Sequence, residues 1–159
     1  MQILQADSFP LLGKRLIEAS AGTGKTYTIA NLYLRVLLGD HVLGLKPVDR
    51  ILVVTFTRAA TEELRGRIRD RIRDLYEDVL RLEQHSDGHQ IDPYVKNLIQ
   101  RTKSNFFSEE HPNNLSLTDW LQANLSQMDE SSVFTIHGFC QRILKQFAFD
   151  SGVGFESEM

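Results

Sequence analysis

Ala19-Ser20-Ala21-Gly22-Thr23-Gly24-Lys25-Thr26 is the stretch of this 159-residue sequence whose residue types and spacing most directly imply chemistry. Backbone N–H groups that converge on phosphate oxygens need small residues and positions free to take φ > 0. Gly22 and Gly24 meet the second requirement, and Ala19 and Ala21 the first. Arg15 to Ala19 reads as a short strand before the loop. Lys25 to Leu38 after it carries Ile29, Leu32, Tyr33, Val36 and Leu37 at helical spacing, with Gly39-Asp40 as its stop. A glycine loop between a strand and a helix N-terminus is the setting of a phosphate-binding loop, where the helix adds orphan N–H groups and its positive dipole end. On this reading Ala19, Ser20, Ala21, Gly22, Thr23, Gly24, Lys25 and Thr26 hold the phosphates of a nucleotide. Lys25 reaches the β- and γ-phosphates as a point charge, and the Thr26 hydroxyl ligates Mg²⁺ through the nucleotide. Ala19 stands where the general pattern has glycine, which is tolerable if its φ stays negative. The competing reading is a glycine-containing strand–helix turn with an incidental lysine, and it leaves the agreement between motif and context unexplained.

Two further segments have a strand-end-to-helix design. Ile51 to Phe56 is a β-branched run short enough to be a fully buried parallel strand, followed by Thr57-Arg58-Ala59-Ala60. The carboxyl edge of an open parallel sheet is where ligands bind. There Phe56 offers a ring for base stacking, worth about 1–3 kcal/mol per base, and Thr55 and Thr57 can donate to phosphates. Val133 to Ile136 reads as a third strand with His137 at its end and a helix from Gly138 to about Phe147. A lone histidine in such a place is ordinarily a hydrogen-bonded structural residue.

Between them, about Ala59 to Leu82 reads as one long helix with the stripe Leu64, Ile68, Ile72, Leu75, Val79, Leu82. Its outer face carries Arg58, Arg65, Arg67, Arg69, Arg71 and Arg73, several at the repulsive i,i+4 spacing. On charge alone, a solvated face offset by Glu62, Asp70 and Asp74 is favoured over a polyanion-binding surface. His85-Ser86-Asp87-Gly88 breaks this helix, and residues 85–128 read as a helical insertion with pieces at Tyr94 to Lys103 and Leu117 to Leu125. His85 and His89 share i,i+4 spacing but lack the further ligands a metal site needs. Residues 150–159 carry no packing pattern and read as a poorly ordered tail.

Composition sets the frame for these elements. The 42% hydrophobic and 25% charged fractions are those of a globular chain, and the length suits one domain with a real core. The longest strongly apolar run, Ile51 to Val54, is far short of a membrane span of about 20 residues. The N-terminus shows no secretory signal, and the lone Cys140 cannot form an intrachain disulfide, so a reducing, cytoplasmic setting is expected. Cys140 is expected to be a small half-buried apolar side chain rather than a reactive thiol. The net charge of −3 gives no global attraction to nucleic acid, so any such binding needs a local patch.

Leu16 to Thr26, then Val53 to Thr57 with Ala59-Ala60, Glu63-Leu64-Arg65 and Arg67-Ile68, then Met128-Asp129-Glu130 and Val133 to Arg142, resemble in this order the superfamily 1 DNA helicases of the UvrD/Rep type, and among them the RecB-like helicase–nucleases. An alanine at the start of the phosphate loop is usual in that family. The resemblance implies an α/β P-loop NTPase fold, a parallel sheet flanked by helices, with residues 1–159 as part of motor domain 1A. It also implies ATP and Mg²⁺ as cofactors, with Lys25 and Thr26 as catalytic residues, and a single-stranded DNA track lined by Phe56, Thr57, Arg58, Thr135 and His137. For the whole protein it implies duplex DNA ends, RecC- and RecD-like companion subunits, and exonuclease action in break repair and recombination. Gln5 is left unassigned as an adenine contact.

No Asp-Glu pair follows an apolar strand to hold Mg²⁺ and activate water: Glu62-Glu63 falls on a helix and Asp129-Glu130 precedes its strand. The chain is therefore expected to be an N-terminal piece of a larger protein, and inactive by itself. Three alternatives remain open: a UvrD/Rep-like or AddA-like helicase fragment, a small P-loop kinase or GTPase-like enzyme, and a non-catalytic P-loop interaction module.

Overall fold

The computed structural model describes residues 9–18, 22, 24–39, 43–84, 91–107 and 115–151, with side chains to residue 147. Helix α1, Lys25–Leu38, has the bounds its apolar spacing implies. It starts at Gly24 in a left-handed conformation (φ 78°, ψ 24°) and ends at Gly39 (φ 65°), whose N–H donates to the Val36 carbonyl at 3.2 Å. A Cβ on Gly39 would stand 2.4 Å from the Gly44 carbonyl oxygen, so the chain turns back there too closely for any side chain. Ala30, Tyr33, Leu34, Leu37 and Leu38 form its buried face. The Tyr33 hydroxyl donates to the Val48 carbonyl at 3.3 Å, and burial pushes its pKa well above the ordinary phenol value.

A 3₁₀ turn at Val48–Arg50 leads to strand β1, Val53–Thr55. Helix α2, Arg58–Glu83, follows at once, with Thr57 as its N-cap: the hydroxyl accepts from the Ala60 N–H at 3.1 Å. Leu64, Ile68, Ile72, Leu75 and Val79 are buried, while Leu82, at the end of the stripe, is only partly so. Each such side chain contributes about 1.5–3 kcal/mol when fully removed from water. Helix α3, Pro93–Phe106, is capped by Asp92 with Pro93 in its first turn. Helix α4, Leu117–Ser126, opens on a capping box in which Ser116 and Asp119 exchange side-chain and backbone hydrogen bonds. Leu98 and Ile99 of α3 and Leu117 and Leu121 of α4 join one hydrophobic core with α1 and α2. A second 3₁₀ turn, Met128–Glu130, precedes strand β2, Val133–Thr135, which runs directly into helix α5, Ile136–Ser151.

The chain is thus mixed α/β, with helices around a small parallel sheet. β1 and β2 pair in the register Val53↔Val133, Val54↔Phe134, Thr55↔Thr135. Three expectations are corrected. First, Arg15 to Glu18 has no regular secondary structure and pairs with no strand among the described residues, and Leu16 is 82% exposed. Two apolar residues between Lys14-Arg15 and Glu18 offer little apolar face to hold a strand on a sheet. Among the described residues the sheet has two strands, where the sequence suggested three. Second, α5 begins at Ile136 rather than Gly138, because the Thr135 hydroxyl accepts from the Gly138 N–H at 3.0 Å and draws the start of the helix to the strand. His137 therefore sits in a helical first turn. Third, Cys140 is exposed, since nothing described packs on its side of α5. The break at His85 to Gly88, His89, the loop His111 to Asn114, Gln5 and the tail beyond Ser151 lie outside the described residues.

Candidate functional site

The start of α1 carries the phosphate-loop candidates. Ala19, Ser20, Ala21 and Thr23 lie outside the described residues. Gly22 and Gly24 both adopt φ 78°, and no described heavy atom lies within 4 Å of where a Cβ would stand on either. Among the described residues no side-chain cap forms on this helix and its first turn holds no acidic residue, so its positive dipole end has no carboxylate there. Lys25 is exposed at the first helical position and Thr26 half-buried at the second. Left-handed glycines, an uncapped helix N-terminus, an ammonium and a hydroxyl make a donor set that fits a phosphate-bearing nucleotide with its divalent cation.

The nucleic-acid candidates meet at the sheet. Because β1 and β2 are parallel and Thr55 faces Thr135 across the ladder, both strands end at one carboxyl edge. Phe56, Thr57 and Arg58 leave the first strand there, and Ile136 and His137 leave the second. Phe56 is 89% exposed, a large ring that folding leaves in solvent. Thr57, Arg58 and His137 are exposed and Thr135 is half-buried. The Thr55 and Thr61 hydroxyls lie 2.6 Å apart, and Thr61 also donates to the Thr57 carbonyl at 3.0 Å, fixing the turn that presents Phe56. Beside this edge, Arg142 lies 5.2 Å from the Phe134 ring centroid, and the Phe134 and Phe139 rings are 6.4 Å apart.

The arginine face of α2 is largely neutralised from within. Arg67 pairs with Glu63 at 2.9 Å, Arg69 with Asp129 at 2.6 Å, and Arg73 with Asp70 at 3.2 Å. Arg65 donates to the Val133 carbonyl at 2.8 Å and to Glu62 at 3.3 Å, tying α2 to β2. Arg58 forms no ion pair among the described residues, which leaves it the arginine best placed to meet a ligand at the edge.

Sequence reasoning missed one cluster. Arg71 reaches α1, with its guanidinium 5.3 Å above the Tyr27 ring and two donors on the Asn31 Oδ1 at 3.2 and 2.6 Å. Asn31 was its legible signal, a polar residue on the buried face between Tyr27 and Leu34, since buried amides take partners. Arg71 lies about 20 Å along α2 from Arg58 at 1.5 Å per residue. The start of α1 is thus set against the middle of α2, away from the sheet edge.

Residues 2–158 match the family model described as the UvrD/REP helicase N-terminal domain. The chain is similar to the RecBCD enzyme subunit RecB of Escherichia coli (strain K12), 49% identical over 154 residues, covering 94% of this chain and 12% of that protein. The RecBCD enzyme subunit RecB of Haemophilus influenzae is 42% identical over 158 residues, covering 96% and 12%. That of Buchnera aphidicola subsp. Acyrthosiphon pisum is 40% identical over 157 residues, covering 94% and 12%. The chain therefore spans about 12% of the length of each of these relatives. Matched over nearly all of its residues, the chain belongs to the UvrD/REP helicase N-terminal domain family.

Proposed function

We propose that this chain is the ATP-binding N-terminal part of motor domain 1A of a RecB-like DNA helicase with a P-loop NTPase fold. The observation that carries the reading is the parallel register that sets Thr55 against Thr135 and so brings Phe56, Thr57, Arg58, Thr135 and His137 to one edge. In a parallel α/β sheet that edge is where ligands bind. The chain's residues divide into two jobs. The loop from Ala19 to Thr26 holds the phosphates, with Lys25 on the β- and γ-phosphates and Thr26 as the protein's ligand to Mg²⁺. The sheet edge holds single-stranded DNA, with Phe56 under a base and Thr57, Arg58, Thr135 and His137 toward the backbone. When bound, the magnesium nucleotide supplies the phosphoanhydride bond whose hydrolysis drives movement along DNA.

For the protein as a whole, the similarity to RecBCD enzyme subunits supports a helicase and exodeoxyribonuclease V subunit. It would act on duplex ends in double-strand break repair and recombination, in the cytoplasm, beside RecC- and RecD-like subunits. Among the described residues no helix is long and apolar enough to cross a membrane. Residues 85–128 are read as a helical insertion into the motor domain.

Fluorescence anisotropy with single-stranded DNA at two salt concentrations tests the reading. We expect salt-sensitive binding that weakens on Phe56→Ala and on His137→Ala. Binding indifferent to both substitutions would remove the sheet edge from the DNA track.

A further inference from the structure

The buried apolar face of α1 and the Tyr33 hydroxyl set the helix roughly against its neighbours. Arg71 adds a directed polar contact close to its N-terminal end. Its fork holds the Asn31 Oδ1 through both Nε and Nη2, at 3.2 and 2.6 Å, while the same guanidinium covers the Tyr27 ring at 5.3 Å. From the other side Asp74 stands 3.9 Å from Nη1. Asn31 is 4% exposed, so with the arginine in place its carbonyl relies on that partner rather than on solvent. Tyr27 and Asn31 are one turn apart on α1, and Tyr27 is the second residue after Lys25. Gripping two successive turns of one helix face fixes the helix in rotation and in translation, which a planar bidentate group does and a point charge does not. The other paired arginines of α2 bind carboxylates on α2 itself, Asp129, or the Val133 carbonyl; among the described residues, Arg71 is the one that reaches α1.

We propose that Arg71 is a positioning residue for nucleotide binding: through Tyr27 and Asn31 it clamps the first turns of α1 onto α2 and so fixes where Lys25 and Thr26 stand. The proposal rests on the assignment of Lys25 and Thr26 to the nucleotide. Arg71 touches no phosphate itself. It removes the rotational freedom that the loop's ammonium and hydroxyl would otherwise have to lose on binding.

The test uses the intact protein, with ATPase kinetics, single-stranded DNA anisotropy and thermal melting measured on each variant. Arg71→Ala is expected to raise the KM for ATP about tenfold, the equivalent of one charge-assisted hydrogen bond, while kcat and DNA affinity stay within about twofold. Asn31→Ala should reproduce the KM effect. Arg71→Lys keeps a cation over Tyr27 but loses the fork, so its KM should rise less. An unchanged KM in a folded Arg71→Ala protein overturns the proposal. So does a raised KM accompanied by parallel losses of kcat and DNA affinity with a lowered melting temperature, which would mark a merely structural residue. If Arg71→Ala does not fold, Arg71→Lys decides alone: a raised KM at an unchanged melting temperature supports the clamp, and an unchanged KM overturns it. Lys25→Ala separates the two levels. ATPase lost there but untouched in Arg71→Ala sinks the clamp and leaves the nucleotide site standing, whereas ATPase persisting in Lys25→Ala sinks the nucleotide site itself.

Discussion

At the scale of single residues, Lys25 and Phe56 carry opposite risks in folding and are left exposed for opposite reasons. Lys25 heads a helix whose N-terminus is already electropositive, so its charge works against helix stability and suits an anion at that end. Phe56 forgoes burial worth about 1.5–3 kcal/mol by standing in solvent at the sheet edge. Lys25→Ala should therefore abolish nucleotide binding in the intact protein, read with a fluorescent ATP analogue, without lowering the melting temperature. The 159-residue chain alone is expected to bind nucleotide weakly and to turn over almost none. Clear ATPase turnover from it, lost on Lys25→Ala, would contradict that. Phe56→Ala should cost about 1–3 kcal/mol in single-stranded DNA binding, a drop of roughly 5- to 150-fold.

At the scale of elements, what holds the helices in place is a small number of directed polar contacts on an apolar core. Asn124, 2% exposed, accepts from the Val48 N–H at 2.9 Å and donates to the Trp120 carbonyl at 2.8 Å, joining α4 to the turn before β1. Asn124→Ala leaves a buried N–H without a partner and should cost about 1–3 kcal/mol in urea unfolding. The capping box of α4 is pH-sensitive. Hydrogen bonds from the Ser116 hydroxyl and backbone hold the Asp119 carboxyl below its ordinary value of 3.8. A carboxyl depressed in the folded state stabilises above its unfolded pKa and loses that contribution as pH falls through the folded one. The melting-temperature difference between wild type and Ser116→Ala should thus be full near about pH 7 and shrink toward about pH 3.

The helices were the legible part of these elements. The bounds of α1 follow from its apolar spacing and from Gly39, and α2 is longer by one residue at each end than its stripe suggested. The segment at Arg15 was misread because strand formation is decided by a partner ladder, which local residue types do not report. The start of α5 was missed because a threonine hydroxyl caps it from within the strand, so the signal that ended one element also began the next. Of the site, the chemistry-bearing residues were legible and their meeting at one edge was not, since register is a long-range property. Arg71 was hidden in a row of arginines that look alike in sequence and differ in what they touch.

At the scale of the whole molecule, α5 stands apart. Ile136, Ile143, Leu144 and Phe147 are exposed on it at helical spacing, alongside Leu52, Val54 and Phe56 of the sheet region. Exposed apolar side chains bind hydrophobic dyes and, where they form a patch, promote association. The 159-residue chain by itself should bind anilinonaphthalene sulfonate while its far-UV helical signal remains native, and Leu144→Glu with Phe147→Glu should reduce that binding. Dye fluorescence unaffected by the double substitution would locate the sticky surface elsewhere.

The two threonines that start helices at the sheet edge have one more consequence. Thr57 and Thr135 each accept a backbone N–H, from Ala60 and from Gly138, so an oxygen lone pair of each hydroxyl already faces inward. Each keeps its proton and one further lone pair for the outside. With one acceptor position already taken and the proton still to give, such hydroxyls lean toward groups that accept, such as phosphodiester oxygens. The same capping that sets the direction of two helices therefore also biases the edge toward ligands rich in hydrogen-bond acceptors.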